Sequence, residues 1–401
     1  MDFPMQRDAT CPFDPAPEVI ALAATEPVTR VRIWDGSTPW LITGNDELHA
    51  LAADPRVSVD HHLPGFPHWN EGMAVMAPHR PKSITTVDGA EHTRLRRMAT
   101  RSFSFKRVNA LRPVIQRITD EHIDAMLAGP KPADLVPALA LPVPSLMICD
   151  LLGVPAEDRE FFETAAASAL DRYATAGSQR ENYAALGKYV DRLVESKYDT
   201  SDDEDGSVVA DYARLVREGT LTLAEARQMC TTLLFAGHET SANMIGLGAL
   251  AVLRNPDQLA VLRDSDDEKE IANAVEELLR YLSIIHNGQR RIAVDDIDIG
   301  GQVIRAGDGI VLDFSAGNWD TRVFDDPARL DLHRDAGRHV AFGFGPHVCV
   351  GQQLARAELQ IVFSTLFRRV PTLEAAIPLE QVAFKHDRLA YGVYSLPVTW
   401  S

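Results

Sequence analysis

The sequence predicts a predominantly helical protein that carries small β-sheets, and three features lead there. From about Glu91 onward, apolar residues recur at three- and four-residue spacing with few glycines, the period of helices that bury one face. Short runs rich in β-branched and aromatic residues are confined to an amino-terminal part, about residues 25–60, and to a stretch ending at Val311. One segment in the middle of the chain reads as a single helix of about 33 residues, roughly 50 Å long.

The elements follow in order. Val28–Ile33 and Pro39–Ile42 flank the turn Asp35-Gly36-Ser37 and predict a hairpin. Thr222-Leu223-Ala224-Glu225 fits a capping box, in which the hydroxyl takes the third residue's amide and the carboxylate reaches back. The helix it starts runs to Asn255, just before Pro256, and is too polar around His238-Glu239-Thr240 to cross a bilayer, so it should be buried within a large domain. Ile271–Tyr281 is a further helix. Arg291–Val311 reads as β structure turning at Gly300-Gly301, and Gln352–Arg369 is a helix again. The acidic runs Asp199–Asp205 and Asp264–Glu270 are expected as solvated loops. There is no internal repeat, and residues 1–401 are expected to form one domain, with the helical bulk from about 90 to the end.

Composition narrows the function. Lys+Arg total 40 against 57 Asp+Glu, a formal net charge of −17, which opposes nucleic acid or an anionic membrane surface as the main partner. The four cysteines, Cys11, Cys149, Cys230 and Cys349, lie far apart with no CxxC pair, which argues against a disulfide framework or structural zinc and for a reducing cytoplasm. No apolar run of about 20 residues opens the chain, so neither signal peptide nor membrane anchor is expected. A monomer is the default expectation.

The most informative segment is Phe342-Gly343-Phe344-Gly345-Pro346-His347-Val348-Cys349-Val350-Gly351. Its glycines let the backbone fold tightly and approach a flat ligand. Cys349 immediately precedes a helix, whose orphan amides and dipole favour a thiolate. The other three cysteines read as small buried apolar groups. The segment resembles the haem-ligand signature of the cytochromes P450, FxxGxxxCxG, matched at Phe342, Gly345, Cys349 and Gly351. The resemblance extends over nearly the whole chain and is nearest to soluble actinobacterial members that hydroxylate secondary metabolites and drugs. It implies the cytochrome P450 fold, with haem b (iron protoporphyrin IX) between a long central helix and the helix behind the cysteine.

By that resemblance Cys349 is the axial ligand to iron, Phe342 packs near its sulfur and His347 hydrogen-bonds a haem propionate. Ala236-Gly237-His238-Glu239-Thr240 resembles the family's AGxET segment on its central helix. There Ala236 contacts the haem, Gly237 leaves room for O2, and Glu239 and Thr240 deliver protons, which cleavage of the O–O bond requires. Thr240 could alternatively bond back to its own helix while Glu239 faces solvent. His92 and Arg96 match an HxxxR pair, and with Arg291 they supply further propionate ligands, as Gly351 supplies backbone at the cysteine. Glu277 and Arg280 resemble the family's ExxR element, joined in a structural network by Arg329. Asn318-Trp319-Asp320 departs from the family's usual arginine at its middle, which is expected to alter only a local surface contact.

No flavin, nicotinamide or iron–sulfur motif is present, so electrons must come from outside, and the resemblance implies ferredoxin and ferredoxin reductase. Arg97, Arg101, Lys106, Arg107 and Arg112 could steer an acidic ferredoxin, or simply form a solvated helix face. The small organic substrate is expected to be bulky and largely apolar, lined by Met73–Thr86, Phe162–Tyr183, Leu233, Ala236, Ile284–Asn287 and Tyr391–Val393, with Arg80 or His286 as polar anchors. An O2-dependent monooxygenase is the leading expectation. A peroxide-driven peroxygenase and a non-catalytic haem protein are the alternatives.

Overall fold

One helix sets the architecture. The computed structural model describes residues 1–8, 10–79, 81–158, 160–161, 164, 176–197 and 206–401. Leu223–Arg254 forms a continuous helix of 32 residues, about 48 Å long. Both halves of the expected capping box are present: the Glu225 amide donates to Thr222 Oγ1 at 3.2 Å, and the Thr222 amide to Glu225 Oε2 at 2.8 Å. Asn255 leaves helical geometry, as the residue before a proline tends to, and Pro256 opens the next helix. Ser241 to Val252 are all buried.

Helices Pro142–Leu152, Ala176–Ser196, Val208–Arg217 and Gln352–Arg369 pack around this central helix. Glycines allow the closest approaches. A Cβ on Gly248 would lie 2.5 Å from Phe363 Cζ, and one on Gly237 would lie 2.8 Å from Ile148 Cδ1. Gly237 thus makes room for a neighbouring helix.

The β structure is small, as expected. The predicted hairpin forms, Val28–Arg30 pairing antiparallel with Trp40–Ile42. It extends through Gly309–Leu312 and Gln289–Ala293 to Val57–Ser58 in a five-stranded sheet. Ile297–Ile299 and Gln302–Ile304 form a separate hairpin, turning at Gly300 and Gly301 with φ of 55° and 74°. Only glycine enters that region without strain. In strand Gln289–Ala293 side chains alternate faces, so Arg290 is buried while Arg291 is half-buried on the other side.

Glu268–Leu282 contains the predicted Ile271–Tyr281 helix, and Gln352–Arg369 has the expected bounds. Asp264 and Glu268–Glu270 are helical, which shortens that acidic loop to residues 265–267. Asp199–Asp205 lies outside the described residues. Among the described residues, no helix is long and apolar enough to cross a membrane.

Candidate active site

The cysteine loop is built by two glycines. Gly343 and Gly345 have φ of 74° and 73°, and a Cβ on Gly345 would lie 2.3 Å from the carbonyl oxygen of Ala52. The loop closes with the Cys349 amide donating to Phe342 O at 2.9 Å. The amides of Gly351 and Gln352, at the start of helix Gln352–Arg369, donate to the Cys349 sulfur. Cys349 keeps open surface on one side but sits deep in the protein, and desolvation pushes its thiol up against those amides and the charges of Arg96 and Arg356. A coordinated cation would favour the thiolate over the thiol. Cys149 and Cys230 are buried as expected, whereas Cys11 is exposed.

Residues not singled out by sequence brace this loop. Phe342 lies beneath the guanidinium of Arg356, 4.6 Å from its ring centre. Arg356 forks onto Glu276 at 2.6 and 2.9 Å, and His339 Nε2 meets the same carboxylate at 2.8 Å. Burial works against ionisation of Glu276, but these partners prevail and hold its carboxyl at about 2. Glu276 directly precedes the ExxR glutamate, and Arg356 lies seven residues beyond the cysteine, so only their separation in sequence hid the pair.

A cluster of basic groups flanks the loop. The rings of His92 and His347 lie 4.1 Å apart, and His347 Nε2 is 3.1 Å from Asp88 Oδ1. His92 is buried with Nε2 lacking a hydrogen-bond partner. Desolvation, with His347 and Arg96 nearby, pushes it down to about 4. Arg96, one turn further along helix Gly89–Ser102, has no side-chain partner among the described residues. Arg291 donates to the carbonyl of Arg290 at 2.7 Å, and burial lowers it to about 10 despite the pull of Asp88. Among the described residues, Asp88 is the one carboxylate that His92, His347 and Arg291 face, and Arg96 faces none. That imbalance, beside a cysteine with open surface, fits a ligand bearing carboxylates and a metal.

On the central helix, Thr240 Oγ1 donates to Ala236 O at 2.7 Å, so the threonine does bond back to its own helix. Ala236 is exposed although this helix is largely buried. Glu239 is turned inward. Its Oε1 accepts from Lys385 Nζ at 2.8 Å, and Asn243 stands one turn away. Neither residue carries a family signature; helical spacing already places Asn243 beside Glu239, but nothing short of the folded chain brings Lys385 there.

The ExxR pair is fully buried, with Arg280 Nε 2.6 Å from Glu277 Oε2. Its third member is Arg334, 3.1 Å from Glu277 Oε1, which corrects the expectation of Arg329. Arg329 is exposed and pairs with Asp331, whose amide, rather than the arginine, reaches Glu277. Trp319 is also corrected. It is buried, stacks on Tyr281 at 5.5 Å and donates to Tyr281 O at 3.0 Å, so the departure from arginine changes the core.

Several expected substrate contacts are committed elsewhere. His286 Nε2 lies 2.9 Å from Arg388 O, and Tyr391, Gly392 and Val393 are buried in packing. Arg80 and residues 162–163 and 165–175 lie outside the described residues.

A glycine-framed cysteine at a helix start, a cation cluster beside it and a long helix carrying an acid and an alcohol place the chain in a class: it belongs to the cytochrome P450 family, whose model matches residues 33–372. It is a monooxygenase of the oxidoreductase class, in a family that uses haem. Within that family it is similar to CYP105 proteins of actinobacteria. It is 62% identical over 400 residues to Cytochrome P450 CYP105Q4 of Mycobacterium marinum, covering 100% of this chain and 96% of that one. It is 51% identical over 401 residues to Cytochrome P450 GfsF of Streptomyces halstedii, covering 100% of this chain and 96% of the relative. The crystal structure of GfsF superposes with a TM-score of 0.92 and 100% coverage of both chains.

Proposed function

We propose that the chain binds haem b through Cys349 and inserts one oxygen atom of O2 into a bulky, largely apolar small molecule. Electrons would come from NAD(P)H through a ferredoxin reductase and a ferredoxin, in the cytoplasm. The observation that carries this reading is the Cys349 sulfur held by two helix-start amides beside a cation cluster short of carboxylates.

His92, Arg96, Arg291 and His347 would hold the propionates, since charge-assisted bonds to carboxylates are strong. The loop at Phe342 and the backbone at Gly351 set the sulfur's position, and Ala236 leaves the helix face uncrowded. A haem bound there supplies the redox chemistry that activates dioxygen. Thr240 is fixed by its bond to Ala236 O, which leaves the lone pairs of its oxygen free to accept a hydrogen bond and so to position the group that carries a proton to the site. Glu239, inward and ionised, takes up protons and hands them on.

The substrate class is supported by relatives named for such compounds. They include a 20-oxo-5-O-mycaminosyltylactone 23-monooxygenase of Streptomyces fradiae, 40% identical over 395 residues. A Pentalenic acid synthase of Streptomyces avermitilis is 43% identical over 394 residues. For the redox partner, Arg97, Arg101 and Lys106 stand exposed with no ion pair among the described residues, whereas Arg107 pairs with Asp211 and Arg112 bonds Gln360. The steering patch therefore narrows to the first three.

The decisive experiment is the carbonmonoxy spectrum of reduced, haem-loaded protein. A red-shifted Soret band is expected, lost together with turnover in Cys349→Ala. An unshifted band, or turnover surviving that substitution, overturns the reading. Ferredoxin, reductase and NADPH should support product formation where H2O2 alone does not. Thr240→Ala should keep haem but divert electrons to peroxide. Unchanged coupling of electron use to product would remove threonine from the relay.

A further inference from the structure

We propose that Lys385, in the carboxy-terminal loop 384–394, is a positioning residue that keeps Glu239 ionised and anchors that loop to the acid-bearing face of the central helix. The assignment rests on the reading of Glu239 as the proton carrier beside Thr240.

The contact is buried on both sides, with side-chain exposures of 10% for Lys385 and 8% for Glu239. Lys385 Nζ donates to Glu239 Oε1 and to Asn243 Oδ1, each at 2.8 Å. Glu239 and Asn243 are four residues apart and share a helical face, so one ammonium reaches both. Asn243 in turn donates to Ala390 O at 3.4 Å. A Cβ on Gly392 would lie 2.3 Å from Asn243 Oδ1, so only a glycine lets the loop come this close. The Lys385 amide closes the loop onto Gly392 O at 2.9 Å.

The charge balance needs the lysine. Burial raises the Glu239 carboxyl, and the groups that oppose it are Lys385, by charge and hydrogen bond, neighbouring His238, and Asn243. Their combined effect lowers it below the ordinary glutamate range. A buried acid that loses this lysine keeps the desolvation cost and sheds most of the compensation. The consequence for the reaction is specific. At neutral pH Glu239 holds no proton of its own, so each proton it passes to the site must first be captured. Both the lysine and Asn243 contact Oε1, which, among the described residues, leaves Oε2 outside the knot for that exchange.

The test follows the Glu239 carboxyl by infrared difference spectroscopy on the haem-loaded protein, with the band assigned by Glu239→Gln. In the unsubstituted protein and in Lys385→Arg it should be ionised at pH 7. In Lys385→Met its titration should move up by more than about one unit. Titration unchanged in Lys385→Met overturns the proposal. If Lys385→Met does not fold, the double variant Lys385→Met/Glu239→Gln decides. Folding restored in the double variant traces the defect to the unpaired carboxylate and supports the assignment; a double variant that also fails to fold shows that the lysine serves packing and overturns it. Both readouts are independent of turnover, so they separate from the failure of the monooxygenase reading, which the carbonmonoxy spectrum reports.

Discussion

Glu276 shows how single residues tie the cysteine loop to pH. Its carboxyl lies at about 2 in the fold against an ordinary 4.5. A carboxyl depressed on folding contributes stability that is complete above its unfolded value and is lost as pH falls toward its folded one. The contribution is therefore full above about 4.5 and drains between 4.5 and 2. A depression of that size corresponds to about 3 kcal/mol. Glu276→Gln should cost a comparable amount at pH 7 and flatten the acid limb of a denaturant-unfolding series taken between pH 5 and 2. An acid limb as steep as the original would show that Arg356 and His339 do not bind this carboxylate as placed.

Among elements, the helix carrying Glu277 and Arg280 is fastened to the segment ahead of the cysteine loop. Arg280 donates to Asn318 O at 2.9 Å and Pro327 O at 3.0 Å, while Arg334 bridges Glu277 and the carbonyls of Asp326 and Arg329. Two arginines neutralise one buried carboxylate, and the surplus charge is spread over backbone carbonyls. Arg334→Ala should therefore lower stability by about 2–4 kcal/mol and weaken haem retention. Arg329→Ala should stay within about 0.5 kcal/mol of the original. Thermal melting and haem content of the two variants, side by side, check the assignment. The reverse order of severity would return Arg329 to the network.

For the whole molecule, a net charge of −17 coexists with an exposed positive patch at Arg97, Arg101 and Lys106. Two of its members, Arg97 and Arg101, lie on the helix that supplies His92 and Arg96. Charges several Debye lengths away are screened at ordinary salt, so the patch can act on an acidic protein only near contact. Arg97→Glu with Arg101→Glu should slow reduction by ferredoxin about tenfold at low salt, the difference shrinking as salt rises. Reduction rates that ignore both the substitutions and the salt would place docking elsewhere.

What the chain's residues determined by themselves are the features written locally: the capping box at Thr222, the stop before Pro256, the hairpins, and the glycine-framed Cys349 with the helix behind it. Each depends on neighbours within a few positions, where spacing and backbone preference suffice. Partners brought together across long stretches of chain were decided only by the tertiary structure. Arg334 rather than Arg329 reaches Glu277, Gly237 fits Ile148, Trp319 fills the core, and Lys385 meets Glu239 across 146 residues. The physical reason is the same throughout. A motif states which group is present, but only packing decides which buried charge lies within hydrogen-bonding distance, and at buried sites that distance governs ionisation.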